Sequence, residues 1–276
     1  MKIGAIIQAR ASSTRLPNKI FKELPYGSGI PVLKHIIDRL KKVDKINEVI
    51  IATSEDSSDN SVENFCKENN ISCFRGSLPN VLSRFYYAAK MYDFDVVCRF
   101  TGDNPCLDIP MMNDVVNHFG DKFENYLHST GFPNGTNIEV FTFDILEYAF
   151  NNAIEAYDIE HVTPFIIQRA KDIDKFRVLN YDDFKHDEPI RLTLDTPQDY
   201  SFLCSVFNAL YDKNIFFETK DVYNLLNSNP WLRDLNANVF HKRKFMNINE
   251  ELIEAENLLR QLELNNAADI IKINRL

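Results

Sequence analysis

The stretch IGAIIQARASSTRLPNK, residues 3–19, decides how the chain is read. An apolar run, Ile3 to Ile7, stops at Gln8 and passes into Arg10, Ser12, Ser13, Thr14, Arg15 and Lys19, with no glycine after Gly4. A short apolar run bounded by polar residues predicts a buried strand, here Lys2–Ile7. Guanidinium groups match phosphate oxygens in bidentate geometry, and lysine adds a point charge. The loop therefore reads as an anion cradle or as solvated surface whose basic residues pair with acids; taken alone, it leaves both open. It is neither a Walker A loop nor a dinucleotide fingerprint, since G-x-x-x-x-G-K-[ST] and G-x-G-x-x-G do not occur in it.

Outward from this strand, apolar runs alternate with helical spacing. Val32, Ile36, Ile37 and Leu40 predict a helix after Pro31, and Glu48–Thr53 a second strand. Val62, Phe65 and Cys66 mark the next helix, and Ser72–Phe74 a short strand. Val81, Leu82, Phe85, Ala88 and Ala89 mark a third helix, Asp95–Phe100 a strand, and Ile109–Phe119 a helix. Strands separated by helices of this size predict βαβ units, a mainly parallel sheet and an α/β class. Further on, Tyr126–Ser129, Asn137–Phe143, Phe176–Leu179 and Ile190–Leu194 are expected as strands. Asp144–Ala153, Glu160–Gln168 and Gln198–Leu210 are expected as helices, the last capped by Thr196 ahead of Pro197.

Residues 1–214 form one expected domain. Residues 215–276 are Asn- and Leu-rich, without another βαβ unit, and form a helical appendage. Its stripe Leu252, Ala255, Leu259 and Leu262 has helical spacing. The stripe fits docking on the core or on a second subunit, so a homodimer is permitted without being required.

The 276 residues are 45% hydrophobic and 26% charged, ordinary for a globular protein rather than a disordered one. A net charge of −9 disfavours general nucleic-acid binding but allows a local basic pocket. No apolar run is long enough to span a bilayer, and no signal-peptide pattern opens the chain, so a cytoplasmic protein is expected. The five cysteines form no C-x-x-C pair and read as small buried hydrophobes.

In open parallel sheets, ligands bind beyond the carboxyl ends of the strands. Three such ends carry chemistry. TGDNP (Thr101–Pro105) places Asp103 after the strand DVVCRF, where it would hold a divalent metal or cap the next helix. TLDTPQD (Thr193–Asp199) does the same for Asp195. RGS (Arg75–Ser77) precedes VLSRF, so Arg75 and Arg84 are expected on one cleft. Mg²⁺ prefers one or two carboxylates plus phosphate oxygens and water. A basic loop and two acidic strand ends together suit nucleotidyl transfer, which is positioning plus electrostatics and needs no covalent residue.

At these residues the chain resembles the cytidylyltransferase superfamily, which includes CMP-sialic acid and CMP-3-deoxy-manno-octulosonate synthetases. ARASSTRLPNK is similar to its A-R-x-x-S-x-R-L-P-x-K signature. ATS (Ala52–Ser54), FRGS (Phe74–Ser77), R-x-TGD-x-P (from Arg99), EHVTP (Glu160–Pro164) and R-x-T-x-D (Arg191–Asp195) follow in the order of the spore-coat polysaccharide branch, over roughly residues 1–210. The resemblance implies a Rossmann-like nucleotidyltransferase sheet with helices on both faces. It implies a Mg²⁺-dependent enzyme that couples an NTP, CTP by family expectation, to a sugar, sugar acid or polyol phosphate with release of pyrophosphate, for surface polysaccharide or glycan synthesis.

By position in the motifs, Arg10, Arg15 and Lys19 would bind the triphosphate with Ser12 and Ser13, and Arg10, Arg15, Lys19 and Asp103 would carry catalysis. Ala9, Thr53, Ser54, Arg75, Ser77, Arg84 and Thr101 would complete the nucleotide site. Asp103 and Asp195 would hold Mg²⁺. Asn134, Asn137, Glu139, Glu160 and His161 would face the acceptor, His161 in an orienting or structural role rather than in proton transfer. Two departures stand out: the loop Pro25–Ile30 is longer than the family's usual turn, and Asn134 and Asn137 replace acidic residues common in that branch. Two other classes compete, a glycosyltransferase using a nucleotide sugar and a catalytically idle nucleotide-binding scaffold. The first lacks its D-x-D motif here, and intact Arg10, Arg15, Lys19, Asp103 and Asp195 argue against the second.

Overall fold

A computed structural model describes residues 1–13, 15–121, 125–169, 179–180, 190–239 and 247–273. They fall into two compact units, Met1–Asn238 and Val239–Leu276.

In the first unit the chain runs β1 (Ile3–Gln8), α1 (Val32–Leu40), β2 (Glu48–Ser54), α2 (Asn60–Glu68), β3 (Ser72–Gly76), α3 (Val81–Met91), β4 (Val96–Thr101) and α4 (Ile109–Asp121). It continues through β5 (Tyr126–Thr130), β6 (Glu139–Thr142), α5 (Phe143–Asn152), α6 (Ala156–His161), α7 (Pro164–Arg169), β7 (Leu179–Asn180), α8 (Pro197–Leu210) and α9 (Thr219–Ser228). The strands form a sheet in the order β3-β2-β1-β4-β6-β5-β7. β1 pairs in parallel with β2 and β4, β2 with β3, and β5 with β7; β6 runs antiparallel to β4 and β5. The mainly parallel α/β sheet expected from the alternating pattern is therefore present.

β1 explains why helices cover both faces. Successive side chains of a strand point to opposite sides. Ile3, Ala5 and Ile7 enter one core, shared with α1, α2, α4, α8 and α9. Ile6 enters the other, shared with α3, α5 and α7. Because both sides are buried, the strand is a continuous apolar run instead of an alternating one.

α8 starts where expected. Thr196 Oγ1 accepts from Asp199 N, and Asp199 closes a capping box back onto Thr196. Phe217, Val222, Tyr223, Leu226 and Leu232, which follow residue 214, belong to the same core as β1. In the second unit, α10 (Ile248–Gln261) and α11 (Asn265–Ile273) pack against each other, and Arg260 bonds both Glu256 and Asp269.

Two expected elements differ. Glu160–Gln168 is not one helix, because α6 ends at His161 and Val162 turns with φ +72°. Pro164 disfavours helical backbone at the residue before it, so the chain breaks there and restarts as α7. Ile190–Leu194 is extended but makes only an isolated bridge, Arg191 to Asn134. Its backbone groups bond loops rather than a strand: Leu192 N donates to Asn134 O and Leu194 N to Asp103 O. Of the expected strand Phe176–Leu179, residues 176–178 lie outside the described residues, and Leu179 begins β7. Among the described residues no helix is long and apolar enough to cross a membrane.

Candidate active site

The order β2-β1-β4 reverses the direction of crossover at β1, so the loops after β1 and β4 leave the sheet side by side. Gly102 makes this approach possible. Its N–H donates to Gln8 O at 2.9 Å, and a Cβ there would lie 3.0 Å from Ala9 Cβ.

The basic loop is held by apolar anchors and by one acid. Ala9, Ala11, Leu16 and Ile20 are buried, whereas Arg10, Ser12 and Arg15 are exposed and Ser13 is half-buried. Asn18 supplies the left-handed residue (φ 54°) that closes the loop, a role asparagine fills more readily than most residues. Asp59, fully buried, accepts Ala11 N at 2.7 Å and the Ser54 hydroxyl. Asp59 thus ties the loop after β1 to the end of β2.

Lys19 follows this loop, and its ammonium bonds Asp103 Oδ2 at 2.5 Å and Asp195 Oδ1 at 2.9 Å. Arg15 reaches Asp195 Oδ1 at 3.0 Å, and Arg191 reaches Asp195 Oδ2 at 2.6 Å. Thr101 Oγ1 donates to Asp103 Oδ1 at 2.6 Å and accepts from Asn104 at 2.9 Å. Burial acts to lower the Lys19 pKa, but Asp103 and Asp195 outweigh it and hold the ammonium above its ordinary value. Burial acts to raise the Asp195 pKa, but Lys19, Arg15 and Arg191 outweigh it and hold the carboxyl below the usual range.

A second layer fixes Asp195. Asp199 is fully buried and accepts Arg191 Nε at 2.8 Å and the backbone N–H groups of Asp195 and Thr196, each at 3.0 Å. Asn236 Nδ2 adds bonds to Arg191 O and to Asp199 Oδ1. The glycine of NGT brings the loop between β5 and β6 against this segment. Gly135 has φ +100°, and a Cβ there would lie 2.7 Å from Thr193 N.

The two carboxylates fit a divalent cation. They converge on one positive atom, Lys19 Nζ, and offer hard oxygen donors. Asn104 Oδ1 is buried nearby without a hydrogen-bond partner. Among the described residues no cluster of three or more Asp, Glu, His or Cys forms a closed cage. Mg²⁺ is usually held by one or two carboxylates plus substrate phosphates, the number of carboxylates that meet at Lys19 Nζ.

The other expected site residues divide. Thr53 and Ser54 end β2 fully buried, and Thr53 Oγ1 has no hydrogen-bond partner. Arg84 is buried, donates to the carbonyls of Ser77 and Leu78, and keeps an unpartnered Nε. Burial, helped by nearby Arg10, lowers its pKa to about 10. Arg75 and Arg84 do not act alike. The Arg75 guanidinium bonds Ser54 O, Asp56 O, Asn60 and Glu63, so it clamps the β2–α2 connection.

Asn134 is exposed, Glu160 is exposed, and His161 packs on Tyr157 with ring centroids 4.4 Å apart. Asn137 Nδ2 donates to Ser129 O. Glu139 faces inward. It pairs with Arg99 and accepts Tyr126 Oη and Thr163 Oγ1, both at 2.7 Å. Burial acts to raise its pKa, but Arg99 and these hydroxyls outweigh it and hold it ionised. Asp59, Asp199 and Asn236 were not among the expected site residues; for Asp199, the spacing T-x-x-D at a helix start was the visible signal.

A mainly parallel sheet that carries a basic loop and two convergent carboxylates at its carboxyl edge suits nucleotidyl transfer. The chain matches the family described as Cytidylyltransferase over residues 4–224 and belongs to that family; it is thus a CTP-dependent nucleotidyltransferase. An uncharacterized protein of Methanocaldococcus jannaschii is 36% identical over 242 residues, covering 88% of this chain and 97% of its own. The spore coat polysaccharide biosynthesis protein SpsF of Bacillus subtilis is 30% identical over 238 residues, covering 82% and 94%. The solved structure of a cytidylyltransferase from Leptospira borgpetersenii superposes with a TM-score of 0.77 at 31% identity, covering 87% of this chain and 100% of its own. A CMP-2-keto-3-deoxy-manno-octonic acid synthetase complexed with CTP shares the fold, with a TM-score of 0.57 at 14% identity over 76% of this chain and 99% of its own.

Proposed function

We propose that the protein transfers the cytidylyl group of CTP, with Mg²⁺, to a sugar, sugar acid or polyol phosphate, releasing pyrophosphate, in surface polysaccharide or glycan synthesis. The observation that carries this reading is the meeting of Lys19, Asp103 and Asp195 at the carboxyl edge of the sheet, beside the exposed Arg10 and Arg15. The relative SpsF, a spore coat polysaccharide biosynthesis protein, supports the polysaccharide context.

In this reading Arg10, Arg15 and Lys19 bind the triphosphate oxygens and neutralise charge that grows as pyrophosphate leaves. Asp103 and Asp195 would hold the metal, which would supply further neutralisation of phosphate charge. Arg191 and Asp199 keep Asp195 in place. A phosphate acceptor is already an anion and needs no strong base. Glu139 is engaged by Arg99, Tyr126 and Thr163 and serves the scaffold rather than proton transfer. Asn134, Glu160 and His161 line the acceptor side.

The test is pyrophosphate release with each NTP, Mg²⁺ and a panel of sugar phosphates and sugar acids. Release with CTP and one acceptor class is expected, and Asp103→Asn and Asp195→Asn each abolish it while the protein stays folded. Consumption of nucleotide sugars without pyrophosphate release from any pair would overturn the reading.

A further inference from the structure

We propose that the Lys19 ammonium is the built-in counter-cation of Asp103 and Asp195, standing where a metal held by both carboxylates would sit, so that the metal enters together with a triphosphate that draws Lys19 away. The inference rests on the proposed metal-dependent transfer.

Each oxygen of the two carboxylates already has a donor. Asp103 Oδ2 takes Lys19 and Oδ1 takes Thr101. Asp195 Oδ1 takes Lys19 and Arg15, and Oδ2 takes Arg191. Charge is matched as well. Lys19, Arg15 and Arg191 face Asp103, Asp195 and Asp199. A divalent ion approaching this set meets no excess negative charge, and it must expel an ammonium whose side chain is only 14% exposed. Two positive charges a few ångströms apart in such a half-buried site repel strongly enough to weaken metal binding about tenfold or more.

A triphosphate changes the balance. It adds negative charge within reach of Arg10, Arg15 and Lys19, and gives the ammonium other oxygens to bind. Lysine suits this exchange, because its stem is flexible and its three donors rotate freely. The backbone need not follow, since Ile20 beside it is buried in the core. Once the ammonium swings out, Asp103 Oδ2 and Asp195 Oδ1 lose the cation they share and attract the metal. Metal and nucleotide then bind with positive coupling, and linkage makes the coupling equal in both directions.

The experiment measures Mn²⁺ binding to the full chain by the loss of the free-ion paramagnetic resonance signal beyond that in a matched protein-free solution, with and without CTP and without acceptor. Wild type is expected to bind Mn²⁺ at least about tenfold more tightly with CTP than without it. Lys19→Met is expected to bind Mn²⁺ without CTP at least about tenfold more tightly than wild type does. A folded Lys19→Met that binds Mn²⁺ no better than wild type overturns the masking role alone. Equal Mn²⁺ affinity of wild type with and without CTP does the same, and needs no variant. If wild type fails to bind Mn²⁺ even with CTP, the metal-dependent reading itself falls with it.

Discussion

Arg191 and Asp199 form a buried, two-pronged ion pair, with Nε to Oδ1 at 2.8 Å and Nη2 to Oδ2 at 3.2 Å. The same Nη2 also donates to Asp195 Oδ2 at 2.6 Å. A residue of the α8 capping box is therefore also the support of a candidate metal ligand.

Asp199→Ala leaves Arg191 with one carboxylate fewer in a buried place and removes the acceptor for Asp195 N and Thr196 N. Breaking such a pair from one side costs about 3–5 kcal/mol. Urea unfolding is expected to show a loss of that size. Asp199→Asn, which keeps an acceptor oxygen, loses less.

Arg15→Ala behaves in the opposite way. Its side chain is 44% exposed, and exposed ion pairs contribute about 1 kcal/mol or less. Stability should scarcely change. CTP affinity, measured by calorimetry, should fall about tenfold or more, the size of one lost charge-assisted bond.

Stability should depend on pH at both ends. Asp195 and Glu139 are held below their ordinary values of 3.8 and 4.5. Their contribution is complete above those values and is lost as pH falls through the depressed ones. Lys19 is held above its ordinary 10.5. Its contribution is complete below that value and is lost as pH rises through the raised one. Urea midpoints should therefore be flat, as far as these groups act, from ~pH 5 to ~pH 10 and decline outside. Asp195→Asn should flatten part of the acid decline.

Gly135→Ala forces a side chain onto backbone 2.7 Å away and a left-handed φ on a residue that resists it. The cost is on the order of 1–3 kcal/mol in stability. Because the loop carries Asn134, the KM for the acceptor should rise while the KM for CTP stays near wild type. A matched rise in both would detach this loop from acceptor binding.

Much of the first unit was legible in the chain. The run Ile3–Ile7 marks a doubly buried strand, and Thr196-Pro197 marks the start of α8, because both signals lie among neighbouring residues. The strand-end rule singled out Lys19, Asp103 and Asp195 for the same reason. The break at Val162 was also written locally, in Pro164, beneath a helical apolar pattern that concealed it.

The partners of the charged groups were not legible. Arg75 stands after a strand as a ligand-binding arginine would, yet its neighbours are Asn60 and Glu63. Glu139 lies in a polar stretch, yet β6 pairs with β4 and places it on Arg99. Asp59 carries no site signal in the sequence, yet the pairing of β1 with β2 sets it under Ala11. Periodicity and turn chemistry act over a few residues, so the chain alone was enough to specify β1 to β4, the basic loop and the acidic residues Asp103 and Asp195, though the segment before Asp195 is no strand of the sheet. Which of those ends meet depends on the sheet order and on buried ion pairs between distant segments. Tertiary packing alone therefore joined Lys19 to Asp103 and Asp195.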